Sequence, residues 1–264
     1  MRNLALAYRV LVGAAWAKTI EYRAQIVIWL VSWLFPLIMM VVWLAVVDEV
    51  GPAAGWEKDD FVSYYVAAAV VMYLTVAWLD WDEDIRTGEL SAKLLKPLDP
   101  FHHYLTEDLG WKLFLLVFVV PIVAVVVWLV PAIHYPLTLG RLAATAGAIV
   151  LGYAVNMMMS STFAMIAFWS TQANNLFQLW IGAGQFLSGW IAPLALFPAG
   201  FRQVAYVLPF RATMSLPLEI LMGRLTWPET AAGLGIACAW TLFFFVVYRL
   251  LWRAGVRRYE AVGA

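Results

Sequence analysis

The sequence is poor in charge. Lys, Arg, Asp and Glu together make up 13% of its 264 residues, against 64% apolar residues, and mean hydropathy is +0.80. Soluble domains carry about a quarter charged residues, so the composition reads as an integral membrane protein, not a secreted or cytosolic one. Cysteine is nearly absent: the single Cys238 excludes an intrachain disulfide and a thiolate metal cluster. No basic patch interleaved with aromatics occurs, which leaves nucleic-acid binding without support. No Gly-x-x-x-x-Gly-Lys-Ser/Thr loop occurs, so nucleotide is not bound by that route. The histidines, His102, His103 and His134, all fall in loops of the sequence pattern. The adjacent pair has no third ligand nearby and reads as interfacial, with no metal expected. Residues 1–23 lack a compact apolar core followed by a small-residue cleavage site, so a removable signal peptide is not expected.

What the sequence does have is length of apolar run. Six segments, at about 24–47, 61–79, 113–130, 142–169, 175–195 and 231–248, are long enough for a hydrocarbon core of about 30 Å. The expected fold is all-α, one domain over residues 1–264, with six transmembrane helices. Residues 3–22 mix Leu4, Leu11 and Ile20 with Arg9 and Lys18, the pattern of an amphipathic helix on the cytoplasmic face. The positive-inside rule orients the rest. Arg2, Arg9, Lys18, Arg23, Arg86, Lys93, Lys96, Lys112, Arg249, Arg253, Arg257 and Arg258 share one side, and the acidic loop at 48–60 falls on the other. Both termini are therefore expected in the cytoplasm. Trp43, Trp56, Trp78, Trp81, Trp111, Trp128, Trp227 and Trp252 lie near span ends and read as interface anchors. The span cores hold no Asp, Glu, His or Lys, which argues against a self-powered secondary transporter. Energy must come from elsewhere, or the chain performs no work.

The longest charged island, Asp82–Pro100, interrupts the apolar pattern between the second and third segments. Ile85, Leu90, Leu94 and Leu95 can form an apolar stripe on a short helix there, with Pro97 and Pro100 as its stop. Such a stripe suits docking of a soluble partner; the alternative is an amphipathic loop lying on lipid headgroups. Arg86-Thr87-Gly88-Glu89-Leu90, followed by Leu94-Leu95-Lys96-Pro97-Leu98-Asp99-Pro100, resembles the signature of bacterial type-two ABC exporter permeases. That signature runs Arg-x-Gly-Glu-Leu, a spacer, Leu-Leu, one residue, Pro, then Pro again. Ser91 stands where the family usually has Asp.

The resemblance implies a membrane subunit of the bacterial plasma membrane that pairs with a separate ABC ATPase. The island would be the coupling helix seated in that ATPase, with Ile85, Leu90 and Leu94 inserted and Glu83, Arg86 and Glu89 fixing register at the rim. No cofactor is expected in this chain; ATP and magnesium would belong to the partner. A second permease chain, paralogous in preference to identical, would complete the path. The stretch Pro198–Pro228, with Leu208-Pro209-Phe210 and Pro217, also resembles the family's outer hairpin. It is expected as a re-entrant pair of short helices, broken at Pro209 and Pro217 with Arg211 in the break.

Two polar rows are candidates for the path or subunit seam. The fourth segment carries Ala144, Ala148, Gly152, Asn156 and Ser160 at every fourth residue, a spacing that also serves simple helix packing. The fifth carries Asn174, Gln178, Gln185 and Ser188. Intramembrane amides face protein, water or substrate in preference to lipid. Two rival readings share the hydropathy. One is a non-transporting membrane scaffold. The other is an intramembrane hydrolase, since Ser188-Gly189 resembles a rhomboid site; but Phe186 replaces its first glycine and no intramembrane base faces Ser188.

Overall fold

A computed structural model describes residues 35–259, together with Gly13. The expected interfacial helix over 3–22 and the segment 24–34 lie outside the described residues. Among these residues the chain is helical, with no strand beyond an isolated bridge between Ala53 and Trp56. The helices are α1 (Phe35–Val50), α2 (Lys58–Thr75), α3 (Trp81–Thr87), α4 (Leu90–Leu94), α5 (Pro100–Leu129), α6 (Leu139–Ala164), α7 (Ala173–Leu187), α8 (Ala199–Val207), α9 (Phe210–Thr213), α10 (Ser215–Leu221) and α11 (Trp227–Val256). A 3₁₀ turn, Met165–Phe168, extends α6.

Local chemistry sets the starts of the long helices. Asp99 caps α5, its carboxylate accepting from Phe101 N at 2.9 Å, and Pro100 occupies the first turn, where its missing N–H costs nothing. Thr138 caps α6 through Arg141 N at 3.2 Å. Thr226 and Glu229 form a capping box at the start of α11, again with a proline, Pro228, in the first turn. Pro100 therefore starts a 30-residue helix as well as ending the charged island.

α6 is the central helix. It packs chiefly on α11 and also receives α2, α7, α9 and α10. The small-residue row makes this possible. Ala148 and Gly152 are buried, and a Cβ on Gly152 would collide with the carbonyl oxygen of Ala212 at α9. Two stretches, Leu139–Phe168 and Trp227–Val256, are long and apolar enough to cross a membrane, and Val119–Leu129 is a shorter apolar helix.

Elsewhere the helices depart from the sequence expectation. α7 has 15 residues, short of the roughly 20 a crossing needs. It ends because Gly189 adopts φ +90°, a conformation that favours glycine. α2 ends at Thr75, and residues 76–79 run non-helical before α3. The Pro198–Pro228 stretch folds as three short helices, with breaks at Leu208–Pro209 and Met214. Pro217 is not a break: it sits in the first turn of α10, where proline is tolerated. α10 is buried from Ser215 to Ile220 against α2, α6 and α11. Trp56 and Trp81 are buried and not at an exposed belt, because each packs into an aromatic cluster of the chain itself.

Candidate functional site

A cavity of about 640 Å³ opens between α2, α5, α6, α7 and the Phe210–Met214 segment. Its wall begins where α2 breaks. A broken helix leaves backbone groups without partners, and each one buried costs free energy. Here side chains from two other helices supply them. Asn156 Oδ1 accepts from Ala77 N at 3.0 Å, Asp108 Oδ1 accepts from Trp78 N at 3.1 Å, and the Lys112 ammonium donates to the Val76 carbonyl. Asp108 also pairs with Lys112 at 3.3 Å and accepts from Tyr153 Oη at 2.8 Å, so this buried carboxylate is fully employed. Thr75 Oγ1 ties the same break to Thr213 O at 2.7 Å.

A second break closes the far end of the cavity. After α7, Gly189 O accepts from Tyr64 Oη at 2.7 Å and Ser188 O accepts from Ser215 N at 2.9 Å. Ile191 O accepts from Tyr65 Oη at 2.7 Å and from Trp43 Nε1 at 2.9 Å. Asn156, Gln178, Gln185 and Ser188 all line the cavity, so four of the five seam candidates meet at one place. Asn174 is exposed and outside the lining; it accepts from Gln178 Nε2 at 3.4 Å. Ser188 is buried, and its hydroxyl bonds Gln185 O at 3.5 Å.

The charged island folds as two helices, α3 and α4, against the start of α5, the end of α6 and the second half of α11. Gly88 at φ +88° makes the corner between them. Asp84 is buried and accepts from Lys93 Nζ and from Tyr104 Oη, both at 2.5 Å. Trp81 stacks on Tyr104 at 4.4 Å between ring centroids, and Lys93 lies 3.9 Å over the same ring. Ile85 and Leu90, expected to project toward a partner, are instead 5% and 0% exposed within the chain's own core. The corner at Gly88 folds the apolar stripe inward. Leu94 and Leu95 remain outside, at 37% and 89% exposure, and Glu83, Arg86 and Glu89 are exposed beside them. Below the island, burial pushes the His103 imidazole below its ordinary value, and Lys96 and Lys93 add to that effect.

A family model described as "ABC-2 family transporter protein" matches residues 13–263. The chain belongs to the ABC-2 transporter family. No curated protein and no solved structure matches it. As an ABC-2 family protein it is an integral membrane protein, of the type that supplies the permease subunit of ABC transporters.

Two charged groups escaped the sequence reading of this ABC-2 protein. Asp108 lies one turn before the expected third span and was not singled out, yet it organises the α2 break. Glu219, inside the hairpin, pairs with Arg211 at 2.5 Å and accepts from Ser215 Oγ at 3.2 Å. Both partners of that pair are buried, so Arg211 does not lie in an open break. Burial pushes the Glu219 carboxyl above its ordinary value, and Arg211 pulls it back down. The available signal was a pair of opposite charges inside one apolar stretch, which buried structure tolerates only when they meet.

Proposed function

We propose that this chain is the membrane subunit of an ATP-driven exporter, and that α3 and α4 receive a separate ABC ATPase in the cytoplasm. The observation that carries the reading is Tyr104. Its hydroxyl is bonded to Asp84 of the charged island, and its ring is part of the cavity wall. A push on the island therefore reaches the cavity through one rigid side chain. Leu94 and Leu95 supply an apolar contact and Glu83, Arg86 and Glu89 a charged rim, the usual anatomy of an interface. ATP and magnesium belong to the partner.

A second permease chain, paralogous in preference to identical, completes the path along α7. That helix leaves Leu176, Leu179 and Phe186 exposed alongside Asn174 and Gln178, a face that suits a subunit seam. The protein sits in the bacterial plasma membrane with both termini inside, as the charge asymmetry favours. Six crossings and an outer re-entrant hairpin complete this reading.

Co-purification tests it. The full chain should retain an ATPase subunit, and Leu95→Asp, or Leu94→Asp with it, should reduce that recovery at least tenfold without changing the amount of chain in the membrane. ATP hydrolysis by the isolated chain, or ATPase recovery unchanged in the double variant, would overturn it.

A further inference from the structure

The charge inventory of the cavity is lopsided. Its charged lining residues are Asp80, Glu107, Asp108 and Lys112. Lys112 is already paired with Asp108 and donates to the Val76 carbonyl, so it is not open to an incoming anion. Asp80 and Glu107 remain. Neither carboxylate makes an ion pair or a hydrogen bond among the described residues, although Asp80 holds the N-cap position of α3, where a carboxylate ordinarily bonds the helix. Asp80 is exposed and Glu107 half-buried, which places both toward the cavity mouth. The rest of the lining is rich in aromatics, with Trp78, Trp111, Trp190 and Phe177 among its rings, and the amides Gln178 and Gln185 add neutral polarity.

We propose that this cavity binds amphipathic organic cations, that is, aromatic or alkyl bodies bearing a delocalised positive charge. Three features of the wall select that chemistry. The volume of about 640 Å³ lies within the range of small-molecule sites. Aromatic faces attract cations and accept apolar bodies. The two carboxylates, unpaired among the described residues, give the mouth a negative field that draws cations and repels anions of equal shape. A lone phosphate finds no free cationic group among the lining residues. The inference rests on the exporter reading and names the class of its cargo.

Tetraphenylphosphonium and tetraphenylborate share a shape and differ in the sign of charge, so they separate the field from the hydrophobic wall. The purified full chain in lipid nanodiscs, without any ATPase, is titrated with each while tryptophan fluorescence is followed. Empty nanodiscs report partitioning into lipid. Saturable quenching by the phosphonium is expected at a concentration at least tenfold lower than for the borate. In Asp80→Asn with Glu107→Gln, the phosphonium should bind at least tenfold more weakly and the borate no more weakly than before. Equal affinity for the two ions, or unchanged phosphonium binding in the double variant, overturns the proposal. Should the double variant fail to fold, the exposed Asp80→Asn alone should weaken phosphonium binding about threefold, and no change there overturns the proposal equally. The readout needs no ATPase, so a negative result leaves the exporter reading standing. Loss of ATPase recovery, conversely, leaves the binding result standing.

Discussion

Asp84→Ala is the substitution that most directly separates a docked charged island from a loose one. The carboxylate is buried and receives two donors at 2.5 Å, Lys93 Nζ and Tyr104 Oη. Its removal strands the Tyr104 hydroxyl inside the core, at a cost of about 1–3 kcal/mol for an unsatisfied buried donor. Lys93 loses its ion pair but remains over the Tyr104 ring and can turn its ammonium toward water, since its side chain is 17% exposed. That partner therefore adds about 1 kcal/mol at most. The sum is about 1–4 kcal/mol, or roughly five- to several-hundred-fold in the equilibrium between docked and undocked island. Asp84→Asn keeps an acceptor for Tyr104 and should show the smaller end of that range. Hydrogen exchange over residues 81–96 reads the undocking directly, with exchange in α11 as the internal reference. Stimulation of the partner ATPase by transported compound should fall in the same order, Ala below Asn below native. Exchange in the island unchanged by Asp84→Ala would refute the mechanism, because motion would then reach the cavity by some other contact.

Gly152→Ala places a methyl group against the Ala212 carbonyl and 3.1 Å from Thr75 Cγ2, so α9 must shift from α6. Overpacking of this kind costs about 1–3 kcal/mol, visible as a lowered unfolding temperature in detergent. Glu219→Ala leaves Arg211 buried without its carboxylate and should destabilise by about 3–5 kcal/mol, whereas Glu219→Gln, which retains an acceptor, should do less; thermal unfolding of both variants decides the order. Cysteines at Gln178 and Gln185, on a background with Cys238 replaced, should cross-link between permease chains; labelling by a lipid-soluble reagent without cross-linking would place them against lipid. His103 holds a depressed value when folded, so the unfolded chain binds more protons as pH falls through about 6.5, its ordinary value. Stability should decline on acidification from that point, and His103→Gln should flatten the decline.

The elements legible in the sequence were those whose signal is local and one-sided. α6 and α11 are long, apolar and bounded by capping residues, and hydropathy finds both, although α11 runs on to Val256, past the expected end at 248. The island at 82–100 was legible as helical because its charges cannot enter hydrocarbon. Its inward turn was not. A stripe of Ile85, Leu90 and Leu94 states that one face is apolar, but not whether that face covers the chain's own core or a partner's. Gly88 decided the matter by folding α4 back on α3, and a single glycine in a loop carries no such instruction by itself. Pro217 misled for a related reason. Proline stops a helix from the interior and starts one from the first turn, and which applies depends on a boundary at Met214 that has no marker of its own.

The polar residues of the apolar segments divide by the same logic. Asn156, Asp108, Lys112, Tyr64 and Tyr65 are polar groups in or beside apolar segments, where polarity is costly, and of these the sequence pointed only to Asn156 as a site candidate. Each is bonded to a backbone group at one of two helix breaks, residues 76–78 or 189–191. Their first duty is therefore to keep those breaks satisfied, and replacing them should damage the fold before it reveals anything about cargo. Gln178 and Gln185 carry no such duty. Among the described residues neither side chain bonds a broken stretch of backbone, yet both line the cavity. Asp80 and Glu107 stand in the same position at the mouth. Polarity kept in an apolar wall without a backbone to serve is retained for something that passes or binds there, and those four residues are where cargo selectivity should reside.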